Sequence, residues 1–126
     1  MITGKKLAIW MDYANAHVME YADPIVTKIV TSSSTHEEKE KTLQKSESIM
    51  HNKDQQQQSE YYKALAETIK DYDEVLLFGP TNARIELFNI LQSHLHFSKI
   101  KIETKASDKM TKNQEHAFVR DYFSKR

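Results

Sequence analysis

The chain has 126 residues, enough for one domain and too few for two of ordinary size. Its 18 basic and 18 acidic side chains cancel, so a globally basic nucleic-acid binder is not indicated, and the lack of cysteine excludes disulfides, thiolate metal sites and cysteine nucleophiles. Two glycines and two prolines exclude fibrous and Pro-rich linker classes, and no apolar run approaches the ~20 residues of a membrane span.

Lys6–Met11 (KLAIWM) is an apolar run closed by Asp12-Tyr13-Ala14-Asn15, which predicts a strand and a turn. Ala16–Tyr21 (AHVMEY) alternates roughly, with His17, Met19 and Tyr21 on one face. Asp23-Pro24 breaks it, and the β-branched Ile25–Thr31 follows as a third strand. Short connections make these three an antiparallel meander. Residues 32–58 hold almost no large apolar side chain and read as a mobile hydrophilic loop, transiently helical between about Glu37 and Glu47.

From Ser59 the pattern is regular. Tyr61, Leu65, Ile69 and Tyr72 recur at helical spacing, with Tyr62 and Ala66 widening the stripe. Glu74–Phe78 (EVLLF) reads as a central buried strand ended by Gly79-Pro80. Thr81 or Asn82 caps the next helix, whose expected face is Ile85, Phe88, Leu91 and Leu95. Lys99–Glu103 (KIKIE) alternates as a half-buried strand near an edge. Thr111 and Gln114 form a capping box for a last helix with Phe118, Val119, Tyr122 and Phe123 on its apolar side.

The order β-β-β-α-β-α-β-α predicts one α/β domain over residues 1–126, with a mixed five-stranded sheet and helices packed on it. Such a meander followed by two crossovers is the chain order of the ribonuclease H-like fold. A flavodoxin-like or other three-layer α/β domain is the alternative. The start of the chain, MITGKKLAIWMDY, lacks the apolar region and cleavage site of a signal peptide, so a cytoplasmic protein is expected.

Charge is unevenly placed. Residues 36–98 carry seven basic and eleven acidic side chains, and residues 99–126 eight and four. The C-terminal quarter suits phosphate, although a solvated helix face has the same composition. Gly79 to Arg84 follows a buried strand and opens a helix, where ligands of open α/β sheets bind. Amides at the helix start with Thr81, Asn82 and Arg84 offer an anion cradle; a capped helix with Arg84 in a surface ion pair is the plainer reading. Lys109 and Lys112 precede the last helix and face a partner or water. Asp12, at the end of the first strand, is the alternative metal ligand of a two-metal nuclease or phosphohydrolase; as a turn residue accepting backbone hydrogen bonds it needs no metal. Of six histidines, His94 and His96 have weak metal-ligand spacing. Tyr13, Tyr61, Tyr62 and Tyr122 are candidates for stacking on bases if exposed, and for the core if not.

IWMDYANAHVMEY, the long hydrophilic stretch, YDEVLLFGPTNARIELFNIL and SDKMTKNQEHAFVRDYF together resemble small bacterial translational machinery proteins. Those are similar to the middle domain of archaeal and eukaryotic peptide release factors and of Pelota. The resemblance spans about residues 6–123 and implies a ribonuclease H-like fold and association with ribosome or RNA. In release factors the loop after the third strand carries a Gly-Gly-Gln motif for peptidyl-tRNA hydrolysis. The matching stretch here, about residues 32–58, has glutamines at Gln55–Gln58, with Gln55 and Gln56 the loop candidates, and no glycine. Without glycine the backbone loses the permissive conformations of that motif. A translation-related binding domain without catalysis or cofactor is therefore expected, with ribosome or RNA as partner and no membrane. The rival readings are the Asp12 nuclease and a protein-interaction domain that dimerises through the Lys99–Glu103 edge.

Overall fold

The structure, a computed structural model, describes residues 5–22, 24–32 and 47–124, with backbone alone over 47–57. Strands β1 (Lys6–Met11), β2 (Asn15–Glu20) and β3 (Val26–Thr31) are followed by helix α1 (Glu47–Ile69) and strand β4 (Glu74–Gly79). Helix α2 (Ala83–Gln92), a 3-10 turn (Leu95–Phe97), strand β5 (Lys101–Ala106) and helix α3 (Lys112–Ser124) complete the order. The sheet runs β3-β2-β1-β4-β5. β1, β2 and β3 pair antiparallel, whereas β4 and β5 add in parallel to β1. This is the mixed five-stranded α/β architecture and chain order expected above.

β1 and β4 are apolar throughout because both their faces are covered. Leu7, Ile9, Met11, Val75 and Leu77 face α1 and α2, against Tyr61, Leu65, Ile69, Leu87 and Leu91. Ala8, Trp10, Leu76 and Phe78 face α3, against Val119 and Phe123. Each such large side chain contributes about 1.5–3 kcal/mol by leaving water. Gly79 has φ +155°, and a Cβ there would lie 2.1 Å from the Met11 carbonyl oxygen. Only glycine lets the end of β4 approach β1 this closely.

Three expectations need correction. Residues 47–58 are helical rather than loop. They contain no helix breaker, and Lys, Glu and Gln propagate a helix already anchored by Tyr61, Leu65 and Ile69. The remainder of the expected loop, including the transient helix from Glu37, lies outside the described residues up to 46. The buried stripe of α2 is Ala83, Leu87 and Leu91, while Ile85 is 38% and Leu95 89% exposed. Leu91 belongs to both the expected and the observed rows and Phe88 packs half-buried on the core, but the i, i+4 row that meets the sheet continues through Leu87 and Ala83, and Leu95 lies past the helix end in the 3-10 turn. The last strand begins at Lys101 rather than Lys99, because Phe97 is buried and residues 98–100 turn around it.

Candidate functional site

The carboxyl ends of the parallel strands β1, β4 and β5 form one edge, and most segments singled out in the sequence meet there. Asp12 closes the β1–β2 turn. Its Oδ1 accepts the amides of Ala14 at 2.9 Å and Asn15 at 2.7 Å, the bonding of a turn residue. Its backbone carbonyl accepts the Tyr61 hydroxyl at 2.9 Å. Glu86, in the first turn of α2, accepts the Tyr13 hydroxyl at 3.0 Å and the Tyr62 hydroxyl at 2.8 Å. Burial raises the Tyr62 phenol well above its ordinary value, and the Glu86 carboxylate raises it further, so the phenol stays protonated and donates. The β1–β2 turn, α1 and α2 are thereby bolted together. Tyr61 and Tyr62 are buried, which gives them to the core, while Tyr13 is exposed.

Tyr61 also fixes where α1 stands. Its hydroxyl meets the carboxyl end of β1, whereas Ile69 lies one turn before Asp73, which bonds Lys5 at the other end of that strand. The start of α1, Glu47 to about Gln57, therefore projects past the edge, by roughly 15 Å at the helical rise per residue. Gln55 and Gln56 belong to this projecting part.

Thr81, Asn82 and Arg84 are brought together at the start of α2. Thr81 Oγ1 accepts the Ala83 amide at 3.2 Å, and Asn82 occupies the cap position without a side-chain cap bond. Arg84 turns back and donates Nη1–H to the Thr81 carbonyl. This arrangement agrees with the plainer capped-helix reading in part, with an internal carbonyl in place of a surface carboxylate. The Ser107 amide donates to the Gly79 carbonyl at 2.9 Å, which ties the β5–α3 connection to the same edge. Lys109 lines an open depression there with Met110, Gln114, Phe118 and Asp121. Lys112 instead heads α3, and its charge acts on His116 one turn on. The capping box is formed: the Thr111 amide donates to Gln114 Oε1 at 2.9 Å and the Gln114 amide to Thr111 Oγ1 at 3.2 Å.

His94 and His96 stand edge-on to Phe97 and line a groove of about 470 Å³ with Tyr62, Ala66 and Ile90. Among the described residues no three His, Asp or Glu side chains converge as metal ligands would.

One constellation escaped sequence reasoning. Glu115 of α3 is 1% exposed, and both its oxygens lie 2.9 Å from His17 Nδ1 on β2. The His17 ring stacks on Trp10, with centroids 4.9 Å apart. The separation of 98 residues hides this pair; a glutamate in the phase of Val119 and Phe123 is the signal that it is buried.

No protein-family model matches the sequence, and no curated protein does. Solved structures share the fold, among them two Pelota proteins. One is the Pelota protein of Thermoplasma acidophilum, with a TM-score of 0.59 at 15% identity over 91% of this chain and 31% of that one. The other is the Pelota of Archaeoglobus fulgidus, with a TM-score of 0.61 at 9% identity over 94% of this chain and 32% of that one. The chain spans about a third of these proteins. It therefore has the fold of a Pelota domain. Among the described residues no helix is long and apolar enough to cross a membrane.

Proposed function

We propose that this chain is a translation-related binding domain that associates with the ribosome or its RNA, in the manner of the release factor and Pelota middle domain, without hydrolysing a substrate. The observation that carries the reading is the match of nearly the whole chain to Pelota. The stretch after the third strand, where the resemblance puts the release-factor loop, includes the start of α1 with Gln55 and Gln56. Glycines that would give a Gly-Gly-Gln backbone its freedom are lacking in residues 32–58. The exposed Lys109 and Lys112 add cations at or near the same edge. The resemblance of its motifs to those of small bacterial translational machinery proteins points the same way.

Co-sedimentation with purified ribosomes tests it. The chain pellets with ribosomes at low salt and is released as salt rises, because displaced counterions drive phosphate binding. A chain that stays in the supernatant at low salt overturns the reading. A peptidyl-tRNA hydrolysis assay gives no release above background; measurable release would refute the non-catalytic part.

A further inference from the structure

We propose that the face of the β2–β3 hairpin beside α3 binds single-stranded RNA, with the His17 ring as a base-stacking platform and an α3 basic stripe holding the phosphates. The inference rests on the RNA-association reading above and places the contact on the sheet face opposite the one that α1 covers.

Ladder partners make one row across the sheet on its α3 face: Ile29, His17, Trp10 and Phe78. Its inner end is closed. Phe78 is fully buried and stacks on Phe118 of α3, with centroids 4.7 Å apart, and Trp10 is 5% exposed. Its outer end is open. The His17 side chain is 30% and Ile29 62% exposed. The imidazole is backed by the Trp10 ring and clamped at Nδ1 by the buried Glu115, so it is fixed before anything binds. A fixed ring loses little rotamer freedom on stacking, and histidine is one of the side chains on which unpaired bases stack.

Lys112, His116 and Arg120 follow at four-residue spacing along one side of α3. His116 Nε2 lies 2.8 Å from Thr27 Oγ1 on β3, which sets this stripe beside the open hairpin. Both Lys112 and Arg120 are exposed, and their charges hold His116 below its ordinary value after burial has done so. A rigid ring with an adjoining apolar side chain, and the cations Lys112 and Arg120 alongside, are the two parts of a single-strand site: a stacking surface and a backbone track. An acidic protein segment would use the stripe and have no need of the ring, which favours RNA.

The test is fluorescence anisotropy of a labelled uridine decamer with the full chain, alongside ribosome pelleting of the same samples. The decamer binds at low salt, and a duplex of equal length binds more weakly because its bases are already stacked. His17→Gln keeps an amide donor for Glu115 and removes the ring; it weakens decamer binding about fivefold or more. Lys112→Glu with Arg120→Glu, both at exposed positions, weakens it further and lowers the salt slope by about 1.4, or about 0.7 for each phosphate that is no longer neutralised. Lys63→Glu, on α1, leaves it unchanged. No decamer binding, equal binding of the duplex, or binding indifferent to His17→Gln and the α3 pair overturns the proposal. Pelleting reduced by these variants without decamer binding assigns the face to a ribosomal protein and overturns it too. Unchanged pelleting by variants that no longer bind the decamer leaves the ribosome reading standing through another surface. Failure of the unaltered chain to pellet sinks that reading separately.

Discussion

At the residue scale, two positions carry constraints that their neighbours cannot relieve. Gly79→Ala drives a methyl group into the Met11 carbonyl at a φ that side chains rarely adopt. The cost expected is about 3 kcal/mol, from overpacking and backbone strain together. Urea unfolding should show a lower midpoint with an unchanged slope. Glu115 is the other. Removing its carboxylate with Glu115→Ala leaves a cavity and strips His17 of its partner, at a cost of about 2 kcal/mol. Glu115→Gln keeps an acceptor for Nδ1–H and costs less. Equal stability of the alanine and glutamine variants in urea would show that the hydrogen bond contributes nothing.

At the element scale, α3 depends on its ends as well as its apolar side. The Thr111–Gln114 capping box satisfies two amides that have no partner inside the helix. Thr111→Ala should lower stability by about 1 kcal/mol, read as a drop in melting temperature. The His116 contact to Thr27 makes the docking of α3 sensitive to pH. Burial first, then the charges of Lys112 and Arg120, lower the His116 value below that of the unfolded chain. Below the ordinary histidine value of about 6.5 the unfolded state therefore binds the proton more readily. This contribution to stability is present above pH 6.5 and is lost as the pH falls through that value toward the folded one. The melting temperature of the unaltered chain should fall more between pH 7.5 and 5.5 than that of His116→Gln; parallel profiles would refute the assignment. α1 shows the opposite balance. Its composition before Ser59 has no apolar stripe, yet it is helical because the packed half nucleates it and good helix formers extend it.

At the scale of the whole molecule, the two sheet faces are covered unequally. α1 and α2 share one face, while among the described residues α3 is the helix covering Ala8, Trp10, Leu76 and Phe78 on the other. A chain ended before Lys112 exposes that apolar row. It should bind a hydrophobic dye and lose its dispersed amide spectrum, and a dispersed spectrum without dye binding would show that the sheet stands without α3. The unequal cover also explains why the outer hairpin remains open beside His17.

KLAIWM and EVLLF announced central strands by themselves, because a strand covered on both faces must be apolar at every position. Thr111 and Gln114 likewise stated a helix start, since a cap is satisfied within four residues. The role of Asp12 in its turn was legible for the same reason. The phase of α2 was not fully legible, since Ile85 looks as apolar as Leu87, and only the approach of Ala83 to the sheet decides which of them is buried. The direction of Arg84, the joining of Tyr13 and Tyr62 through Glu86, and the pairing of His17 with Glu115 arise between segments far apart in the chain. Local chemistry determined the elements and their order. The chemistry of the surface was decided when the crossovers brought distant polar groups within hydrogen-bond reach, and at Glu115 out of water, where an unpaired partner is costly.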